Sequence, residues 1–149
     1  MSKQPKKMFA LSMPVSDNGT GMRGRLIYAH ITGDGQIEYL LAPALHTSVP
    51  WSTTEVPVQS YWVSSDRIMD GTKVPCPELP WSALKTLVED TVTGFTGRLT
   101  GFLVGTGFIQ GRVQPIGFNQ DTMTIHDSHD FDITHLVGDE ITDYYPPIA

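Results

Sequence analysis

Apolar and polar positions alternate along much of the chain with the two-residue period of a half-buried strand. Residues 8–13 read as a first strand ended by Pro14, and 16–24, with Asp17, Asn18 and three glycines, as a loop. The segments RLIYAHIT (25–32) and QIEYLLA (36–42) flank Gly33-Asp34-Gly35, a pattern that predicts a β-hairpin. Between Pro43 and Pro57 no period of either kind survives, so 44–57 is expected to be irregular. VQSYWVS (58–64) has the aromatic and β-branched residues of another strand, with Trp62 expected in the core. Pro75, Pro77 and Pro80 lead to the one helical spacing. Trp81, Leu84, Leu87 and Val88 fall on one face of a 3.6-residue turn, with Ser82 as N-cap and Gly94 beyond the end, and predict a short α-helix near 82–91.

From Phe95 onward glycines interrupt an apolar series, as in a small, curved sheet with bulges. Met123 and Ile125 alternate with polar residues, as do Phe131 and Ile133. Pairing Ile125 with Phe131 and Met123 with Ile133 matches their apolar faces and leaves 126–130 as a polar hairpin tip. No internal repeat of fixed period is visible. The pattern predicts a mainly β chain, a compact antiparallel sheet or small barrel with one short helix. A basic arm of 1–7, carrying Lys3, Lys6 and Lys7, precedes a single domain over 8–149. GTGFIQGRVQPIGFNQDTMTIHD, followed by FDITHLVGDEI, resembles the bent-strand pattern of SH3-like and Sm-like small barrels, which implies that architecture for the C-terminal part.

Composition bounds the function. A chain of 149 residues is one domain or two very small ones, and 40% hydrophobic with 17% charged residues can bury a core. A formal charge of −6 disfavours nucleic-acid binding. Acidity gathers between Asp127 and Asp143, which marks that end for a cation or basic partner. No apolar run approaches the about 18 residues of a membrane span. Cys76 is the one cysteine, so no intrachain disulfide can form, and a reducing, cytoplasmic location is expected.

Three constellations could carry chemistry. His126, Asp127, His129 and Asp130, with Asp132 and His135 beside them, offer imidazole and carboxylate ligands for a divalent metal, or else form a solvated hairpin tip. His30-Ile31-Thr32 and His46-Thr47-Ser48 repeat His-x-Thr/Ser, the pairing that two-histidine phosphoesterases use for acid and base with hydroxyls on the phosphate. Trp51, Tyr144 and Tyr145 lie beside prolines or in irregular segments, where rings serve as contact anchors. Nucleophile elbows, phosphate loops and dinucleotide fingerprints are missing from the sequence. The resulting expectation is a small non-catalytic binding or sequestering protein, self-associating, with a protein or small-molecule partner. In general character it resembles accessory proteins of phages and mobile elements. The alternative is a small metal- or histidine-dependent hydrolase.

Overall fold

A computed structural model describes residues 3–43, 46–48, 55–57 and 59–141; for 46–48 and 55–57 it defines the backbone course only. The structure is mainly β and antiparallel, as the alternation predicts. It separates into two compact units, Met1–Pro5 with Ile31–Gln36 and Pro77–Ala149, and Lys6–His30 with Ile37–Cys76.

The N-terminal unit contains β1 (Lys7–Phe9), β2 (Pro14–Asp17), β3 (Arg23–Thr32) up to His30, β4 (Ile37–Pro43), β5 (His46–Ser48), β6 (Glu55–Pro57), β7 (Tyr61–Ser64), β8 (Ile68–Met69) and β9 (Lys73–Pro75). Its main sheet runs β8-β2-β3-β4-β7. A 3-10 turn, Ser65–Arg67, carries the chain from β7 to β8, which returns to pair with β2. The hairpin expected around Gly33-Asp34-Gly35 is present as β3 and β4. Lys7, expected in the basic arm, opens β1 and pairs with Pro75. Part of the segment expected to be irregular pairs instead, His46 opposite Pro57 and Ser48 opposite Glu55. Trp62 is not core: strand alternation turns Val63 inward and leaves Trp62 exposed.

The C-terminal unit contains β10 (Leu87–Asp90), β11 (Thr96–Gly105), β12 (Phe108–Gln114), β13 (Phe118–Asn119), β14 (Thr124–Ile125), β15 (His129–Asp132) and β16 (Leu136–Val137). Its sheet runs β16-β10-β11-β12-β15, and a 3-10 turn, Ile133–His135, links β15 to β16. The α-helix expected near 82–91 does not form. Trp81–Ala83 make one 3-10 turn, Lys85 adopts a left-handed φ of 69°, and the chain then enters β10 with Leu87 and Glu89 exposed and Val88 and Asp90 buried. The apolar residues that mimicked a helix face belong partly to a strand, because β11 and β16 both offer β10 backbone partners. The expected pairing of 123–125 with 131–133 is also replaced. Phe118 and Asn119 pair with Ile125 and Thr124, whereas His129–Asp132 pairs with Gln110–Val113. Joining β12 sets β15 beside a buried apolar face that includes Ile109 and Val113, which the exposed 123–125 segment lacks.

The two units share one connectivity: a two-residue strand follows a 3-10 turn and returns to pair with an earlier strand of its unit, β8 with β2 and β16 with β10. They also share a sequence, Val-x-Asp-x-x-Thr-Gly-x-x-Gly-Arg-Leu, at Val15–Leu26 and Val88–Leu99, so the absence of an internal repeat is corrected. The matching residues do matching work. Asp17 N–H donates to the Met22 carbonyl and Asp90 N–H to that of Phe95, both at 2.8 Å. Gly21 and Gly94, each at φ 77°, donate to the carbonyls of Asp17 and Asp90 at 2.7 Å. Arg25 and Arg98 donate to the carbonyls of Ser12 and Lys85, at 2.6 and 2.8 Å. A Cβ at Gly24 would collide with the Ala42 carbonyl, and one at Gly97 with that of Gln114, so the motif's second glycine lets a neighbouring strand approach. Core volume is distributed differently. Tyr39 fills the middle of the N-terminal unit, whereas Gly111, at the corresponding register position, leaves room for Leu99, Ile133 and Leu136.

Candidate functional site

The repeated motif buries an aspartate at the end of one strand in each unit, Asp17 of β2 and Asp90 of β10, and the two aspartates are satisfied differently. Asp17 is fully buried. One of its oxygens accepts from Gly19 N–H and Arg67 Nε, both at 2.9 Å. The other accepts from Arg67 Nη2 at 2.6 Å, Tyr61 Oη at 2.7 Å and Thr20 Oγ1 at 2.8 Å. The Arg67 guanidinium holds this carboxyl well below the usual carboxylate range; burial opposes the shift, and the Tyr61, Thr20 and Gly19 donors reinforce it. Both carboxylate oxygens are thus occupied by donors from the same chain.

Asp90, 1% exposed, keeps only the local part of that arrangement. Thr93 donates its N–H at 2.9 Å and its hydroxyl at 2.7 Å to one carboxylate oxygen. The register of β15 against β12 puts His129 where Tyr61 stands in the other unit, and the following turn puts His135 in the place of Arg67. Neither is bonded to Asp90 among the described residues. His135 is exposed, and His129 turns its ring edge-on to Phe95, centroids 5.2 Å apart at 80°. Phe131 lies 5.1 Å from Phe95.

With no counterpart of the Tyr61 and Arg67 contacts, the surface beside this turn is hollow. One cavity of about 360 Å³ is lined by Thr93, Gly94, Phe95, His129 and Phe131. A second, of about 460 Å³, shares Phe95 and His129 and extends over Leu87, Gly97, Pro115, Ile116, His126 and Asp127. Its rim is apolar and open to solvent, with Leu87 56% and Ile116 62% exposed. Phe118, Met123 and Ile125 are also exposed on the following β13–β14 hairpin.

The four residues expected to hold a metal fall in this region with different roles. His126, Asp127 and His129 line the larger cavity; the His126 carbonyl accepts from Gln114 Nε2 at 2.6 Å. Asp130 is engaged by Arg112, Nε at 2.9 Å and Nη2 at 3.1 Å. Asp130 thereby holds the Arg112 guanidinium above its usual range. Among the described residues no three histidine, cysteine or acidic side chains are grouped as metal ligands. His30 stands edge-on to Trp62, centroids 6.4 Å apart, and the Thr32 hydroxyl bonds Asp34. The side chains of His46 and Ser48 lie outside what is described, as do Trp51, Tyr144 and Tyr145. The residues that sequence reasoning passed over are Asp90, Thr93, Phe95 and Ile116. The repeated motif was the signal for the first two, and the exposed apolar rim has no pattern of its own. Compared with known protein families, curated proteins and solved structures, the chain matches none.

Proposed function

We propose that the protein is a non-catalytic binding protein and that its C-terminal unit takes a protein or small-molecule partner in the hollow around Phe95 and His129. The observation that carries this reading is the paired cavity itself. Concave apolar surface with a few convergent polar groups is the usual form of a ligand site, and here Leu87, Phe95 and Ile116 supply the apolar wall while His126, Asp127 and His129 converge on it. Exposed apolar residues gather in this unit, where Leu87, Val92, Ile116, Met123 and Ile125 are each more exposed than any large apolar side chain described in the other.

An NMR titration of the isotope-labelled full chain with small neutral aromatic fragments tests this. Resonances of Phe95, Ile116 and His129 should move together and saturate, and Ile116→Asp should remove the effect while leaving the remaining spectrum unchanged. Fragments that bind only elsewhere, or none that bind at all, would overturn the assignment.

A further inference from the structure

We propose that Asn18-Gly19 is a self-modification site, an asparagine that deamidates spontaneously, and that the cluster around Asp17 gates it: the closed turn withholds the reaction and opening of the seam between β2 and β8 permits it. The chain has two asparagines, and only Asn18 is followed by glycine. That order carries a specific chemistry. The Gly19 backbone nitrogen, once it has lost its proton to solvent base, attacks Asn18 Cγ; the new C–N bond closes a succinimide ring and ammonia leaves. Water then opens either ring carbonyl, returning an aspartyl residue or an isoaspartyl one whose main chain runs through the side-chain carbon. The net change is one water consumed and one ammonia released, with no oxidant, metal or second protein. Glycine favours the ring closure because it adds no Cβ to crowd the nitrogen and leaves the backbone free to rotate. Residue 18 is exposed, so water reaches the amide and ammonia can leave.

The fold holds that nitrogen in a state unsuited to attack. Gly19 N–H donates to Asp17 Oδ1 at 2.9 Å, so removing its proton would set a second negative charge against a buried carboxylate. Asn18 N–H donates to the Arg67 carbonyl at 2.8 Å, which ties the preceding peptide to the turn before β8. Arg67 also covers Gly19: a Cβ there would lie 2.7 Å from its Nε and 2.8 Å from its Nη2. Turning the Gly19 nitrogen toward Asn18 Cγ therefore breaks its bond to Asp17 and needs room that the guanidinium fills. Both restraints are released when the seam opens. The product cannot reclose in the same way. An isoaspartyl link lengthens the main chain by one carbon where two hydrogen bonds depend on its length, and either product puts a new carboxylate beside Asp17. Deamidation is thus a one-way record of opening, and it loosens the unit in which it occurs. The other half is exempt, since the matching residues are Thr91 and Val92, and neither has an amide to lose.

The full chain, held at mildly alkaline pH and body temperature and mapped over days by proteolysis, chromatography and mass spectrometry, tests the gate. Asn18 should convert to a mixture of aspartyl and isoaspartyl forms, at least about tenfold more slowly in the folded chain than in concentrated urea. Asn119, followed by Gln120, should stay intact over the same period. Tyr61→Phe removes one hydrogen bond from Asp17 and leaves Arg67 in place, and should speed conversion by about fivefold, the scale of one lost bond. Thr93→Ala removes the comparable hydroxyl bond in the other unit and should leave the Asn18 rate unchanged. Should Tyr61→Phe not fold, subdenaturing urea applied to the wild type replaces it, and the Asn18 rate should climb before the global transition. A folded chain that converts as fast as the unfolded one refutes the gate, as does a Tyr61→Phe rate equal to that of the wild type or a Thr93→Ala rate raised equally. No conversion of Asn18 in concentrated urea, or conversion of Asn119 ahead of it, refutes the site itself.

Discussion

Replacing Asp17 with asparagine should destabilise the N-terminal unit far more than the matching Asp90→Asn change destabilises the C-terminal one. Asp17 accepts five hydrogen bonds, two of them from a guanidinium, and is fully buried. Asparagine keeps one acceptor oxygen but turns the other into a donor aimed at Arg67. Breaking a buried pair costs about 3–5 kcal/mol, and the partial exposure of Arg67 lets water recover some of that, so a loss of about 3 kcal/mol is expected. Asp90 has only the two Thr93 bonds at stake, a loss of about 1 kcal/mol on the scale of local capping interactions. Urea unfolding followed by backbone NMR, unit by unit, reads both. The pH dependence gives a second check. Asp17 is lowered in the folded state, so its contribution is fully present above the unfolded carboxyl value and is lost as pH falls through the folded one. The gap between wild type and Asp17→Asn should therefore be widest near neutral pH and narrow in acid. Equal costs for the two variants, or a gap that does not change with pH, would refute this account of the cluster.

Three further outcomes follow from the geometry. Gly24→Ala and Gly97→Ala should each cost about 2 kcal/mol or more in urea melts, because the new methyl group meets a backbone carbonyl of the adjacent strand; tolerance at either position would mean that the close approach is not needed. Lys85→Gly should raise stability by about 1 kcal/mol, since Lys85 occupies the left-handed region where a side chain is penalised, and a fall in the melting midpoint would contradict that. Tyr39→Phe should cost about 1–3 kcal/mol, because the Phe9 N–H now bonded to the Tyr39 hydroxyl at 2.9 Å would be left buried without an acceptor; unchanged stability would show that water replaces it.

Much of the fold was legible. Alternation placed β3, β4 and β7 close to their observed positions, and turn chemistry placed the hairpin at Gly33-Asp34-Gly35. The failed helix is instructive: Trp81, Leu84, Leu87 and Val88 satisfy a helical period, but Val88-Glu89-Asp90 satisfies a strand period as well, and tertiary partners on both sides of β10 decide between them. The hairpin expected at 123–133 failed for the same reason, since β12 offered β15 a longer apolar neighbour. The candidate site was legible in part. His126, Asp127 and His129 do line one cavity, yet the correspondence of His129 and His135 to Tyr61 and Arg67 is visible only when the two halves are aligned.

Each unit is closed by a strand of only two residues, β8 on β2 and β16 on β10. Such a seam joins segments far apart along the chain, so in kinetic terms it forms late and reopens first. In the N-terminal unit the Asp17–Arg67 pair spans that seam, since one partner ends β2 and the other immediately precedes β8. A backbone bond spans the seam in both units, Asn18 N–H to the Arg67 carbonyl and Thr91 N–H to the His135 carbonyl, and in the C-terminal unit the Thr91 hydroxyl, in place of an ion pair, adds to it. The two halves thus share a closure but differ in its latch, and the unit with the weaker latch is the one that carries the open cavity.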